Sequence, residues 1–136
     1  MKIKLDRKNE FFHFTAQNES GLSLEIDGSP EIGGENKGFR PMELMLSGIA
    51  SCSTIDLLLI LKKQKHLVSD IRIETSGERS SSPAKEFTSV HLHYILTGEI
   101  SSDKLERAIN LAITKYCSAI LSLHPDIKVT SSYEIQ

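Results

Sequence analysis

Residues 40–64, RPMELMLSGIASCSTIDLLLILKKQ, constrain the fold more than any other stretch. Pro41 suits a first helical position, because the N–H it lacks is one that an α-helix leaves unpaired, and Glu43 puts a negative charge in the electropositive first turn. Lys62, Lys63 and Lys65 mark the other end, where cations complement the helix dipole. Between these signals the apolar residues do not keep to one stripe. Met45, Ile49, Ile55 and Leu59 fall near the face of Cys52, while Leu46, Ala50, Leu57 and Leu61 fall on the other side. A helix apolar nearly all round has to be buried. It is long enough to suggest a membrane span, but Ser47, Gly48, Ser51, Ser53, Thr54 and Asp56 interrupt it, and an intramembrane Asp is costly. The reading is therefore a buried core helix.

The rest of the chain must supply what buries it. With 136 residues, 25% charged and 39% hydrophobic, the chain suits a single domain with one core. A net charge of -2 gives no electrostatic attraction to nucleic acid or an anionic membrane, and no basic patch with an aromatic platform is present. The opening MKIKLDRKNE has no apolar run with a cleavage site, so a cytoplasmic location is expected.

Alternation identifies the strands. Ile3 and Leu5 alternate with charged neighbours, Phe12, Phe14 and Ala16 with Phe11, His13 and Thr15, and Leu22, Leu24 and Ile26 with Ser23, Glu25 and Asp27. The short links RKNE and QNESG favour antiparallel neighbours. Residues 28–39, GSPEIGGENKGF, show no period and read as a loop. Two further strands centre on Ile71–Thr75 and Val90–Leu96, joined by the mobile-looking link GERSSSPAKE. Ser101, Ser102 and Asp103 open a second helix, with Leu105, Ile109, Ala112 and Tyr116 at helical spacing; His124-Pro125 ends it, and residues 127–135 supply a last strand. The order is three strands, a helix, two strands, a helix and a strand: an α+β fold with a mostly antiparallel sheet. One amphipathic sheet covers only one side of its helices. A lone copy would thus leave an apolar patch in water, which predicts a homodimer about the long helix.

Chemistry centres on two thiols, Cys52 in the long helix and Cys117 in KYCSAIL. In a reducing compartment they read as inert, packed thiols or as a redox pair, not as a structural staple. His91 and His93 share a strand face, but no third ligand has suitable spacing; they read as outward polar residues, and neither metal nor cofactor is expected. Asp56, one turn after Cys52, reads as a capping or lysine-pairing acid, with a buried acid as the alternative. Gly48, one turn before Cys52, leaves room for close approach by a partner helix or ligand.

The segment SPEIGGENKGFRPMELMLSGIASCSTIDLLLILKKQ, followed by KYCSAILSL, resembles the OsmC and organic hydroperoxide resistance family, in its OsmC-like branch. The matching features are a proline-led helix with Cys52 eleven residues after Pro41, and Cys117 in a Tyr-Cys-Ser context 65 residues further on. The resemblance covers nearly the whole chain. It implies an intertwined homodimer whose sheets wrap two central helices, and thiol-dependent reduction of organic hydroperoxides or hydrogen peroxide in an oxidative stress response. It also implies Cys52 as the peroxidatic thiol, Cys117 as the resolving thiol, and an external thiol or dithiol as reductant.

Family members place an arginine and a glutamate beside the first cysteine. Arg40 and Glu43 are the candidates here, although Pro41 is followed by Met42 and Glu43 comes one place later, turned by about 100°. Twelve residues of helix is roughly 18 Å, so Arg40 would act across a dimer interface, or Arg7 would take its place. The alternative to catalysis is a binding module that holds a hydrophobic small molecule in an apolar dimer crevice while the thiols stay reduced.

Overall fold

The structure, a computed structural model, describes residues 1–136. It divides into two compact units, Met1–Met45 and Leu46–Gln136, taken here in turn.

In the first unit, strands β1 (Ile3–Arg7), β2 (Phe14–Asn18) and β3 (Ser23–Ile26) form an antiparallel meander in sequence order. Leu5, Ala16 and Leu24 lie in register across it, so alternation puts the apolar residues on one face. At the β2–β3 turn the Asn18 side chain accepts the N–H groups of Ser20 and Leu22, both at 3.0 Å. After β3 comes a glycine-rich loop with one 3-10 turn at Pro30–Ile32. It returns to the sheet through a parallel bridge between Phe39 and Ile26.

Asp27 organises this loop. Its buried carboxylate accepts the backbone N–H groups of Gly28 (2.7 Å), Glu35 (2.9 Å) and Lys37 (3.1 Å). Gly34 is required by close approach: a Cβ there would lie 1.9 Å from the Gly28 carbonyl oxygen. The unit buries little apolar surface, with Leu5 54% and Leu24 42% exposed on the meander's apolar face.

Helix α1 (Pro41–Lys63) starts in the first unit and continues through the second. The second unit adds β4 (Val68–Arg79), β5 (Phe87–Gly98), α2 (Ser102–Leu111), a short α3 (Ser118–Leu121) and β6 (Lys128–Ile135). Its sheet has the order β4-β5-β6, with β4 antiparallel to β5 and β6 parallel to it. The mixed α+β architecture matches the sequence reading, with the strands divided between two three-stranded sheets.

The buried core of the second unit consists of Val90, Leu92, Tyr94 and Leu96 of β5, Leu105, Ala108 and Ile109 of α2, and one face of α1: Ile49, Ala50, Ser53, Leu57 and Leu61. Tyr94 Oη donates to Ser53 Oγ at 2.9 Å, and Ser53 donates to the Ala50 carbonyl at 3.0 Å, which ties α1 to the middle of β5. Opposite the buried face, α1 leaves Ile55 58% and Leu59 60% exposed. By length and composition this helix could cross a membrane, but one of its faces is committed to the sheet.

Two local expectations change. The link GERSSSPAKE is shorter than expected: its first three residues, Gly77–Arg79, extend β4, with Gly77 paired to Val90 and Glu78 to Ser89, and residues 80–86 form the connecting turn. Gly77 makes room for the Phe87 ring, which a Cβ there would meet at 2.5 Å. The second helix does not run unbroken to His124. It widens into a π turn at Ala112–Tyr116, closed by the Cys117 N–H on the Ala112 carbonyl at 2.8 Å, and Cys117 then takes an extended backbone (φ -65°, ψ 100°) before α3. Cys117 is therefore not helical. The apolar spacing that suggested a helix persists through the break, since a single inserted residue shifts the pattern without erasing it.

Candidate active site

Cys52 sits midway along α1, half-buried, on a face flanked by the exposed Ile55 and Leu59. Cys117 lies at the junction of the π turn and α3 and is fully buried. The break at Cys117 turns the first residues of α3 toward α1. As a result Cys52 Sγ, Cys117 Sγ and a carboxylate oxygen of Asp56 all lie within 4.8 Å of one another. The two thiols of the sequence reading do meet, and Asp56, one turn along α1, joins them.

The surroundings treat the sulfurs unequally. The backbone N–H of Ala119 holds the Cys52 thiol below its usual range, outweighing burial, which pushes it up. The Ser118 hydroxyl, with Oγ 3.6 Å from Cys52 Sγ, and the Cys117 thiol act in the same direction, whereas the Asp56 carboxylate opposes them. Burial pushes the Cys117 thiol up to about 11, and the Cys52 sulfur that it faces adds to the rise. Cys52 is thus the readier thiolate, and Cys117 is held as a protonated thiol.

Ser118 and the Ala119 N–H were not foreseen. Ser118 is visible in the Tyr-Cys-Ser motif, but only the break at Cys117 frees the following N–H groups from a helical ladder. Arg40, Glu43 and Arg7 belong to the first unit, and each has local work there. Arg40 is the residue before α1. Its backbone N–H is accepted by Glu43 at 2.8 Å, as in the reciprocal half of a capping box, so Glu43 acts as a helix-start residue. The Arg40 guanidinium donates to the carbonyls of Gly38 (3.1 Å) and Asp27 (3.4 Å) and to the Asn36 side chain, and so braces the loop. Arg7 donates to the carbonyls of Phe11 (3.0 Å) and Glu10 in its own turn. On the outer face of the second sheet, His91 bonds Thr130 (2.7 Å) and Ser132 (2.9 Å), and His93 bonds Ser132 (2.7 Å).

The fold is α+β, with a thiol on α1 facing a second thiol at the junction of the π turn and α3. The chain belongs to the OsmC-like protein family, whose match spans residues 34–132. It is 33% identical to Protein YhfA of Escherichia coli K12 over 123 residues, which is 90% of this chain and 89% of that protein. A hypothetical protein of Aquifex aeolicus superposes with a TM-score of 0.82 at 29% identity, covering 99% of this chain and 96% of the other. The organic hydroperoxide resistance protein OsmC of Legionella pneumophila has a TM-score of 0.76 at 20% identity, covering 98% and 97%, a likeness of fold.

Proposed function

We propose that the protein is a thiol-dependent peroxidase that reduces organic hydroperoxides through Cys52 and Cys117. The observation that carries this reading is the unequal pair: a half-buried thiol held toward thiolate by the Ala119 N–H, within 4.8 Å of a buried, protonated second thiol. The Cys52 thiolate attacks the peroxide oxygen remote from the organic group. The O–O bond breaks, the alcohol leaves with a proton, and Cys52 becomes a sulfenic acid. Cys117 then attacks the Cys52 sulfur and gives up its proton, and the sulfenic hydroxyl leaves as water. The resulting disulfide, about 2 Å long, needs the sulfurs to close by a few ångström. An external thiol or dithiol regenerates the pair by exchange.

The exposed Ile55 and Leu59 beside Cys52 favour a substrate with an apolar tail. The same two residues, together with the exposed apolar face of the β1–β3 meander, support a homodimer as the working form, since a three-stranded sheet with so little buried surface needs a cover. Arg40 and Glu43 serve the site by setting the start of α1 and the loop before it.

The test is a thiol count by mass spectrometry after one equivalent of cumene hydroperoxide. Wild type should lose both thiols and two hydrogens, and Cys52→Ser should keep its remaining thiol. Persistent peroxide with both thiols free would refute the reading and leave the apolar surface beside Cys52 as a ligand-binding feature.

A further inference from the structure

Cys52, Asp56 and Cys117 bring two sulfurs and a carboxylate oxygen within 4.8 Å of one another, with Cys117 buried and the other two half-buried. All three are metal-ligating groups, and a divalent cation seated between them would take a ligand from each. We infer that Cys52, Asp56 and Cys117 form a binding site for a thiophilic divalent cation, Zn²⁺ in the first instance, with one coordination position left open.

Three features of the cluster support this. The donor set is two sulfurs and one carboxylate oxygen, which suits Zn²⁺ and not the oxygen-seeking Mg²⁺ or Ca²⁺. Zinc holds sulfur at about 2.3 Å and carboxylate oxygen at about 2.0–2.2 Å, so ligand atoms of a tetrahedral site stand roughly 3.5–4 Å apart. Separations within 4.8 Å require the donors to close by no more than about 0.8–1.3 Å, which side-chain torsions at Cys52 and Asp56 can supply because both are only half-buried. Finally, Cys52 and Asp56 are one turn apart on the same helix, and Cys117 is set by the π turn packed against it, so two of the three ligands share a rigid element. Ser118, with its hydroxyl 3.6 Å from Cys52 Sγ, borders the position left for water or an exchangeable ligand.

The site exists only in the dithiol state. If the peroxidase reading holds, one hydroperoxide and two protons convert the zinc dithiolate to a disulfide, an alcohol, water and free Zn²⁺; the cation binding itself does not rest on that reading.

The experiment titrates the reduced full-length chain with Co²⁺ and then displaces it with Zn²⁺. The expected result is one Co²⁺ per chain, with near-ultraviolet sulfur-to-cobalt charge transfer and the intense visible bands of four-coordinate cobalt, all bleached by Zn²⁺. Cys52→Ser should abolish most of the charge transfer. Asp56→Asn, nearly isosteric and half-buried, should weaken binding roughly tenfold or more, since even outer-shell changes at metal sites cost that much. A pale six-coordinate spectrum in wild type, or Asp56→Asn binding as tightly as wild type, would overturn the assignment. No peroxide enters this titration, so its failure leaves the peroxidase reading standing. A positive titration with no peroxide turnover separates the two in the other direction.

Discussion

The hydrogen bond from Tyr94 to Ser53 allows a sharp test of how α1, and with it Cys52, is held. Both side chains are fully buried, and burial pushes the Tyr94 hydroxyl up to about 12, so it stays a protonated donor. Ser53 spends its single proton on the Ala50 carbonyl, which leaves its oxygen to accept from Tyr94. The two ends of the bond are therefore unequal. Tyr94→Phe removes the donor but leaves Ser53 its bond to Ala50, a loss of about 0.5–1.5 kcal/mol for one net hydrogen bond. Ser53→Ala instead strands a buried phenol hydroxyl, at about 1–3 kcal/mol for an unsatisfied buried group. Urea unfolding at fixed protein concentration, followed by circular dichroism, should give a lower midpoint for Ser53→Ala than for Tyr94→Phe. The double variant should recover part of the loss, because no orphaned donor remains. If Tyr94→Phe is the more damaging single change, or if the effects add, the bond does not anchor the helix as described.

At neutral pH, iodoacetamide should alkylate Cys52 at least about tenfold faster than the buried Cys117, and Ser118→Ala should slow Cys52 further by removing a donor to its thiolate; peptide mapping by mass spectrometry reads both. The three N–H groups that Asp27 accepts outweigh its burial and hold its carboxyl below the usual range. The stability it contributes is therefore present above its unfolded pKa and is lost as pH falls through the lower folded one. Asp27→Asn should be clearly destabilised near neutral pH and should converge on wild type in strong acid, as urea midpoints at the two conditions would show. Gly34→Ala places a methyl 1.9 Å from a backbone oxygen and should cost more than about 1–3 kcal/mol, the usual range for overpacking. By contrast, Gly48→Ala meets nothing within 4 Å and should stabilise α1 by about 1 kcal/mol. A loss in its place that fades as the protein is diluted would put a second copy of the chain against that turn.

Much of the scaffold is written in local chemistry. Pro41, Glu43 and the terminal lysines mark α1 because helix ends have fixed electrostatic and hydrogen-bonding needs. Alternation identifies the strands because a pleated sheet has two faces, but it starts the second strand at Phe11 in place of Phe14 and cuts short the β4–β5 hairpin, where Gly77 and polar residues carry the ladder without an apolar signal. Both thiols were legible as candidates from their residue type and setting.

What no stretch of sequence encodes alone is which groups surround them. Cys52 and Asp56 are adjacent through the helical turn, but Cys117, 65 residues further along, joins them where the chain leaves the helix. The break also exposes the Ala119 N–H that favours the Cys52 thiolate, a backbone group that residue identity cannot announce. Arg40 and Arg7 looked like the natural cations for a thiolate by charge. Their hydrogen bonds to nearby carbonyls are geometric facts that become visible only in the folded chain. The direction of β6, parallel to β5, follows from where the second helical segment delivers the chain. Helix capping and strand alternation act over a few residues and can be read in order. The reactivity of a thiol depends on every donor and charge within a few ångström, and folding alone decides which those are.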